Sequence, residues 1–259
     1  MTVERALWGE KFAQDHIPHF MCPKCKQGRL TIIEDSLKTE EPSYSSNARA
    51  HDAWEADWIT ERFSVRLQCG LPKCGEIVCI LGDTVTEELL DDEVGWTYGS
   101  VLRPRAMFPA PPIMVLPNDT PSLVEEAIES SFALFWMDLG ASASRLRTSV
   151  ERLMDHYRIV KTRIAKNRKK PKAAGKRVPY DLSVRIDKFV AAIKPSVPAK
   201  TLHALRLVGN LGTHGSKLTR DALLDAYTVY EDALDELIGK RREKIAGLVR
   251  KITKTKGRY

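Results

Sequence analysis

The sequence predicts a mainly α protein, in which an antiparallel C-terminal helical bundle follows a small β domain. Three observations carry that expectation. Two close cysteine pairs, Cys22-Pro-Lys-Cys25 and Cys69-Gly-Leu-Pro-Lys-Cys74, are flanked by short stretches that alternate apolar and polar. From Asp119 onward, apolar residues recur at helical spacing through successive segments. Between these regions, five prolines fall within Arg103–Pro117, a density that forbids helix and favours an extended connector.

The cysteines come first in the chain. Two thiolates on a tight turn that ends in or next to glycine can point at one ion, and two such turns complete a tetrahedral four-cysteine zinc site. Cys22, Cys25, Cys69 and Cys74 are therefore the predicted ligands, with Gly28 and Gly75 closing the turns, which is a zinc-ribbon signature. Four thiolates leave no open coordination position, so zinc here is expected to be structural. The flanks agree: residues 29–34 can start a strand, residues 62–69 alternate Phe63, Val65 and Leu67 inward, and residues 76–81 supply a partner strand. The second pair is spaced more widely than the first, and residues 26–68 between the pairs imply an inserted loop rich in Ser, Glu and His. Cys79, between Val78 and Ile80, reads as a buried, inert thiol with a lesser possibility of replacing Cys74; His19 and His51 are weaker substitute ligands.

Residues 1–82 thus form a zinc-ribbon-like domain and residues 83–118 an acidic, then proline-rich connector. Residues 119–239 form the bundle, with a basic insertion at 158–178, and residues 240–259 a basic helix or tail. In the bundle, Thr120-Pro121 opens a helix carrying Ile128, Phe132, Phe135, Trp136 and Leu139. Leu146, Val150, Leu153, Met154 and Tyr157 share the face of a second. Asp181 caps a third, with Leu182, Ile186, Phe189, Val190 and Ile193; Pro198 opens a shorter one through Leu202 and Leu205. Thr219 caps the last, whose stripe is Leu223, Tyr227, Tyr230, Leu234, Leu237 and Ile238.

A chain of 259 residues with 43% hydrophobic content is globular and long enough to bury a core. The N-terminus lacks the pattern of a secretory signal and no run is apolar enough to span a membrane, so a cytoplasmic location is the expectation. Five cysteines in that compartment read as metal ligands before disulfides.

The net charge of +7 hides a polarity. Residues 1–118 hold 12 Lys/Arg against 18 Asp/Glu, whereas residues 119–259 hold 29 against 16. Arg158–Arg177 has ten basic residues and no acid, and Lys240–Tyr259 has nine against Glu243 alone. Two such blocks point to a polyanion, most simply a nucleic acid. The predicted contacts are Arg163, Lys166, Arg168, Lys169, Lys170, Lys172, Lys176, Arg177, Arg241 and Arg242. The apolar stripe Ile245, Leu248, Val249 and Ile252 lets the tail extend the last helix, bind a partner or lie on nucleic acid.

One further stretch, Arg206-Leu-Val-Gly-Asn-Leu-Gly-Thr-His-Gly215, packs an arginine, an asparagine, a histidine and three glycines into ten residues. Arg206 offers a permanent guanidinium, His214 a group that titrates near neutrality, and Asn210 an amide able to orient either the imidazole or a phosphate. The same stretch also fits a helix junction, with the glycines permitting close helix approach. Each glycine costs about 1 kcal/mol inside a helix, which sets helical continuity through Gly209 in question.

The order Cys-Pro-x-Cys, Cys-x4-Cys-Gly, proline-rich connector, "EEAIESSFALFWMDLGASASRLRTSVERLMD", "DLSVRIDKF", "LRLVGNLGTHG" and "TRDALLDAYTVYEDALDEL" resembles the domain-of-unknown-function family 4145, placed among HEPN-like helical bundles. That resemblance implies a HEPN-like bundle and a prokaryotic defence, restriction or mobile-element system. It also implies RNA ahead of DNA as ligand, a homodimer, and metal-independent ribonuclease chemistry with His214 as general acid/base, Arg206 on the scissile phosphate and Asn210 orienting. The sequence departs from the ribonuclease pattern in having Gly209 before Asn210, with seven residues between Arg206 and His214. A noncatalytic zinc-ribbon adaptor, dimeric and binding nucleic acid or a partner effector protein, is the alternative.

Overall fold

A computed structural model describes residues 3–91, 95–165, 175–193, 199–211, 218–239 and 241–258. The chain divides into two units: Glu4–Ile113 with Phe132–Asp138, and Met1–Val3, Met114–Ser131 and Leu139–Tyr259.

The first unit is built on an antiparallel sheet of five strands: β1 (Leu30–Ile32), β2 (Lys38–Glu40), β3 (Arg62–Cys69), β4 (Ile77–Asp91) and β5 (Gly95–Phe108). Both β1 and β2 pair along one edge of β3, β4 takes its other edge, and β5 pairs with β4. The sheet curls into a half-barrel. In β3, Phe63, Val65, Leu67 and Cys69 are buried and the residues between them exposed, the period-two signature of a strand with one covered face. Within the segment between the cysteine pairs lie β1, β2 and a short helix, α1 (Ser43–Ala48). An aromatic cluster fills the core: Trp8 lies 5.2 Å from Phe20 and 5.5 Å from Phe135, and Phe12 lies 5.6 Å from Trp136.

Within residues 83–118, expected as connector, residues 83–91 and 95–108 are strand. The ladder between β4 and β5 passes from Leu81↔Ala106 to Gly82↔Pro104, leaving Arg105 as the extra residue of a bulge. A bulge tolerates a proline that has no N–H to give the ladder, and it increases the local twist. It also turns Arg105 beside Arg103 onto Asp83, where their Nε atoms lie 2.9 and 3.2 Å from Oδ1. Burial alone raises the Asp83 carboxyl, but the Arg103 and Arg105 guanidiniums outweigh it and hold it well below the usual carboxylate range.

The second unit is helical: α2 (Ser122–Leu134), α3 (Leu139–His156), α4 (Leu182–Ile193), α5 (Ala199–Leu211), α6 (Arg220–Leu237) and α7 (Arg241–Thr255). α5 packs against α3, α4 and α6. Thr219 caps α6, its hydroxyl accepting from the Ala222 N–H at 3.2 Å. Leu146, Val150, Leu153, Ile186, Phe189, Leu202, Leu223 and Leu234 are buried. A seam of hydroxyls crosses this core. The Tyr227 hydroxyl lies 2.6 Å from Ser131 Oγ and 2.9 Å from Ser142 Oγ, and Ser149 Oγ lies 3.1 Å from the Tyr230 hydroxyl. Each of these buried hydroxyls thereby finds a partner, and burial raises both tyrosine hydroxyls well above their ordinary range. Between α3 and α4, inside the basic insertion, β6 (Thr162–Ala165) and β7 (Lys176–Pro179) form an antiparallel pair. None of the described helices is long and apolar enough to cross a membrane.

The expectation of a mainly α chain, with helices after only a small β domain, is overturned: 43% is helix and 24% strand, the strands forming a curled antiparallel sheet in the N-terminal region. The physical reason is β4 and β5. Acidic, threonine-rich and proline-containing sequence reads as irregular until its strand partner is known, and Pro104 is accommodated by the bulge.

Candidate metal centre and nucleic-acid interface

The first cysteine turn is held by the Cys22 N–H donating to the Gly28 carbonyl at 2.8 Å and the Lys26 N–H to the Cys22 carbonyl at 3.0 Å. The second is held by Cys74 and Gly75 N–H groups donating to the Leu71 carbonyl at 2.9 and 3.1 Å. β3 delivers Cys69 to the first turn, its N–H bonded to the Glu76 carbonyl at 2.8 Å. The result brings Cys22, Cys25, Cys69 and Cys74 together, with all four Sγ atoms within 4.8 Å of one another. Cys22 and Cys74 are 3.7 Å apart at Sγ, as are Cys25 and Cys69, and all four are free thiols. A tetrahedral ion bound by four sulfurs at about 2.3 Å separates those sulfurs by about 3.8 Å, so the cradle fits a metal ion.

The local chemistry points the same way. Burial pushes the Cys22 thiol up to about 12. N–H donation from Gly28 and Gln27 brings Cys25 down to about 6. At Cys69 the Leu71 N–H lowers the thiol, but burial and the neighbouring Cys25 outweigh it and leave it raised. Four thiolates in one partly buried cluster repel one another unless a cation compensates them. Gly28 belongs to this geometry, because a Cβ there would stand 2.4 Å from Cys69 Sγ.

Cys79 corrects one expectation. It is exposed, not buried. Val78 and Ile80 face the core, so the residue between them faces out, and the inward side of β4 is fixed by pairing with Val65 and Leu67. The other substitute ligands stand apart from the cluster: His19 Nδ1 donates to the Leu30 carbonyl at 3.1 Å, and the His51 ring stacks obliquely 5.5 Å from Trp58.

Of the basic residues, Arg163 on β6 and Lys176 and Arg177 on β7 are exposed. The two-stranded ladder pairs Arg163 with Val178, Ile164 with Arg177 and Ala165 with Lys176. Arg241 and Arg242 open α7. Lys166, Arg168, Lys169, Lys170 and Lys172 lie outside the described residues.

His214 also lies outside the described residues, whereas Arg206 and Asn210 are both on α5, which stays helical through Gly209 to Leu211. Continuity through Gly209 follows from packing. It is buried, and a Cβ there would stand 2.3 Å from Arg147 Cβ and 3.1 Å from the Ala143 carbonyl, so only glycine lets α5 approach α3 this closely. Arg206 and Asn210, four residues apart, flank that seam half-buried. Sequence reasoning missed Arg147, which lies against Gly209 and reaches Glu151 at 3.2 Å. The signal for it was present: Arg147 stands one turn after buried Ala143 and three residues before buried Val150, at the edge of the α3 core stripe. Among the described residues the Nε atoms of Arg147 and Arg206 are buried and have no hydrogen-bond partner. His203 pairs with Asp187 at 3.0 Å, and the His156 ring packs edge-on to Tyr157.

Residues 129–255 match the DUF4145 family, described as a domain of unknown function. The DUF4145 region takes in most of the helical unit, from the end of α2 through the last turn of α7, and so contains Arg147, Arg206 and the basic hairpin. The sheet unit matches separately, residues 10–107 corresponding to a second domain of unknown function, DUF8608. No curated protein and no solved structure matches the chain.

Proposed function

We propose that the protein binds nucleic acid, RNA in preference to DNA, through its helical unit, while a zinc ion held by Cys22, Cys25, Cys69 and Cys74 stabilises the sheet unit. The observation that carries this is the segregation of charge. Twenty-nine basic residues against 16 acidic ones lie in residues 119–259, and the β6–β7 pair in the first basic block exposes Arg163 and Lys176 on one face and Arg177 on the other. Lysines and arginines so gathered release counterions when they meet phosphates, which supplies affinity without sequence readout. The resemblance of "LRLVGNLGTHG" to HEPN-like proteins supports RNA as the ligand and a prokaryotic defence, restriction or mobile-element setting. The test is photo-crosslinking of single-stranded RNA followed by peptide mapping. Adducts are expected within residues 158–178 and 240–259; adducts confined to residues 1–118, or none, contradict the assignment.

A metal-independent endoribonuclease is a second reading, favoured by one observation: α5 remains helical, so Arg206 and Asn210 project four residues apart beside Arg147. Arg206 then holds the scissile phosphate, Asn210 orients, and His214 exchanges the proton on the 2′-oxygen or the leaving oxygen. Cleavage of RNA by the intact protein with no added metal, abolished by His214→Ala and reduced by Arg206→Ala, is the expected result. RNA binding without cleavage, equal in all three proteins, assigns the chain instead to the noncatalytic adaptor class.

A further inference from the structure

The apolar stripe of α4 contains one charge. Leu182, Ile186 and Phe189 are buried, and so is Arg185, whose side chain is 8% exposed. A buried guanidinium is costly unless its N–H groups are answered. Nη2 of Arg185 donates to Asp155 Oδ1 at 2.6 Å and to the Ile159 carbonyl at 3.1 Å. Its buried Nε has no hydrogen-bond partner among the described residues. Asp155 is shared, since Lys161 Nζ lies 2.7 Å and Arg152 Nη1 3.7 Å from Oδ2. One carboxylate therefore answers three cations, and positive charge is left over. Burial raises the Asp155 carboxyl, but Lys161 and Arg185 outweigh it and hold it lowered.

A cavity of about 260 Å³ opens at this point, lined by Glu151, Lys161, Pro179, Tyr180, Leu182 and Arg185. It belongs to the helical unit and lies at the root of the β6–β7 pair, where the Tyr180 N–H donates to the Lys161 carbonyl at 2.8 Å. Pockets that enclose a drug-sized ligand measure about 300–1,000 Å³, so this one suits a single charged group. Its lining acid, Glu151, is held by Arg147 at 3.2 Å. We propose that the cavity is a phosphate subsite, in which Arg185 Nε and the Lys161 ammonium donate to the oxygens of a phosphate monoester. A guanidinium matches phosphate oxygens in geometry, and an ammonium beside it adds a point charge. The monoester carries about −1.5 to −2 charges, which answers the surplus around Asp155 better than the single charge of a carboxylate does. Two sources share this chemistry: a free nucleotide, and the 5′-terminal phosphate of an RNA that meets the exposed Arg163 and Lys176 of the same strand pair. The second source rests on the nucleic-acid reading; the subsite itself does not.

Calorimetric titration of the full chain with inorganic phosphate, adenosine monophosphate and acetate tests the subsite. Fluorescence anisotropy with one RNA bearing either a 5′-phosphate or a 5′-hydroxyl separates the two sources. Arg185→Lys keeps a cation against Asp155 but removes the Nε donor, and is expected to weaken phosphate binding at least about tenfold. Lys161→Gln, at a side chain 61% exposed, should weaken it less, and carries the test if circular dichroism shows Arg185→Lys unfolded. Glu151→Gln removes the lining acid and should tighten phosphate, an effect not expected of an arginine that serves only to hold Asp155. A preference for the 5′-phosphorylated RNA that these cation variants reduce assigns the subsite to an RNA end. Binding of phosphate and adenosine monophosphate without that preference assigns it to a free nucleotide, and either result upholds the subsite. Phosphate binding that is absent, matched by acetate or unchanged in the cation variants, with equal affinity for the two RNAs, overturns it. Salt-dependent binding of the 5′-hydroxyl RNA in that case leaves the nucleic-acid reading standing.

Discussion

Gly209 is the residue at which propensity and packing make opposite predictions. In an exposed helix, glycine to alanine gains about 1 kcal/mol. Here a methyl group meets the Arg147 side chain and the Ala143 carbonyl, so Gly209→Ala is expected to lose about 1–3 kcal/mol through overpacking. Urea unfolding followed at 222 nm reads the sign, and a stabilised variant contradicts the close α3–α5 approach. Asp83 makes a second residue-level prediction. Its carboxyl is depressed in the folded protein, so its contribution is present above the ordinary carboxylate value of about 4 and is lost as pH falls below it. Melting temperatures between pH 7 and pH 2.5 should therefore show Asp83→Asn starting lower than the wild type and losing less below about pH 4; parallel curves contradict a guanidinium-held carboxylate. Cys79 shows why a residue can be read wrongly while its strand is read correctly. The apolar run Ile77–Leu81 gives no alternation of its own, and only the β3 partner decides that Val78 and Ile80 face in.

At the scale of elements, the helices were legible because their signals are local. Thr219 precedes α6 and caps it, and the Leu223–Leu234 stripe is buried as the 3.6 period requires. Thr219→Ala removes an acceptor for the Ala222 N–H and is expected to cost about 1 kcal/mol, read from chemical denaturation; no loss means that the hydroxyl does not cap the helix. The long hairpin was not legible. β4 is acidic, β5 contains Pro104, and both features ordinarily argue against strand; their pairing depends on a bulge with no short-range sequence mark. The β6–β7 pair was hidden in a similar way, since lysine and arginine dominate its composition and the ladder spans only four residues on each side.

For the whole molecule, the four-cysteine cluster was the most legible site, because two short turns with two cysteines each carry nearly all of its geometry. The turns lie 43 residues apart in sequence, and β1 and β3 bring them together. Cys69→Ser is expected to abolish stoichiometric zinc by elemental analysis and to unfold the sheet unit, with loss of near-ultraviolet signal from the Trp8, Phe12, Phe20 and Trp136 cluster. Retained zinc and an unchanged aromatic spectrum contradict a four-thiolate site. The candidate Arg206, Asn210 and His214 set was legible only as residue types. Its seam partner Arg147 lies 59 residues upstream, and a contact that distant is set by how α3 and α5 pack. The segregation of charge, by contrast, needed no fold to be seen.

That segregation is tested most directly by the salt dependence of RNA affinity. Fluorescence anisotropy with a labelled single-stranded RNA, from 50 to 200 mM salt, should give a steep negative slope of log K against log salt for the wild type. Neutralising Arg163, Lys176 and Arg177 together should weaken binding and flatten the slope by about 0.7 for each phosphate contact removed. A variant with the affinity and slope of the wild type, or a wild type that does not bind, contradicts RNA recognition by the basic helical unit.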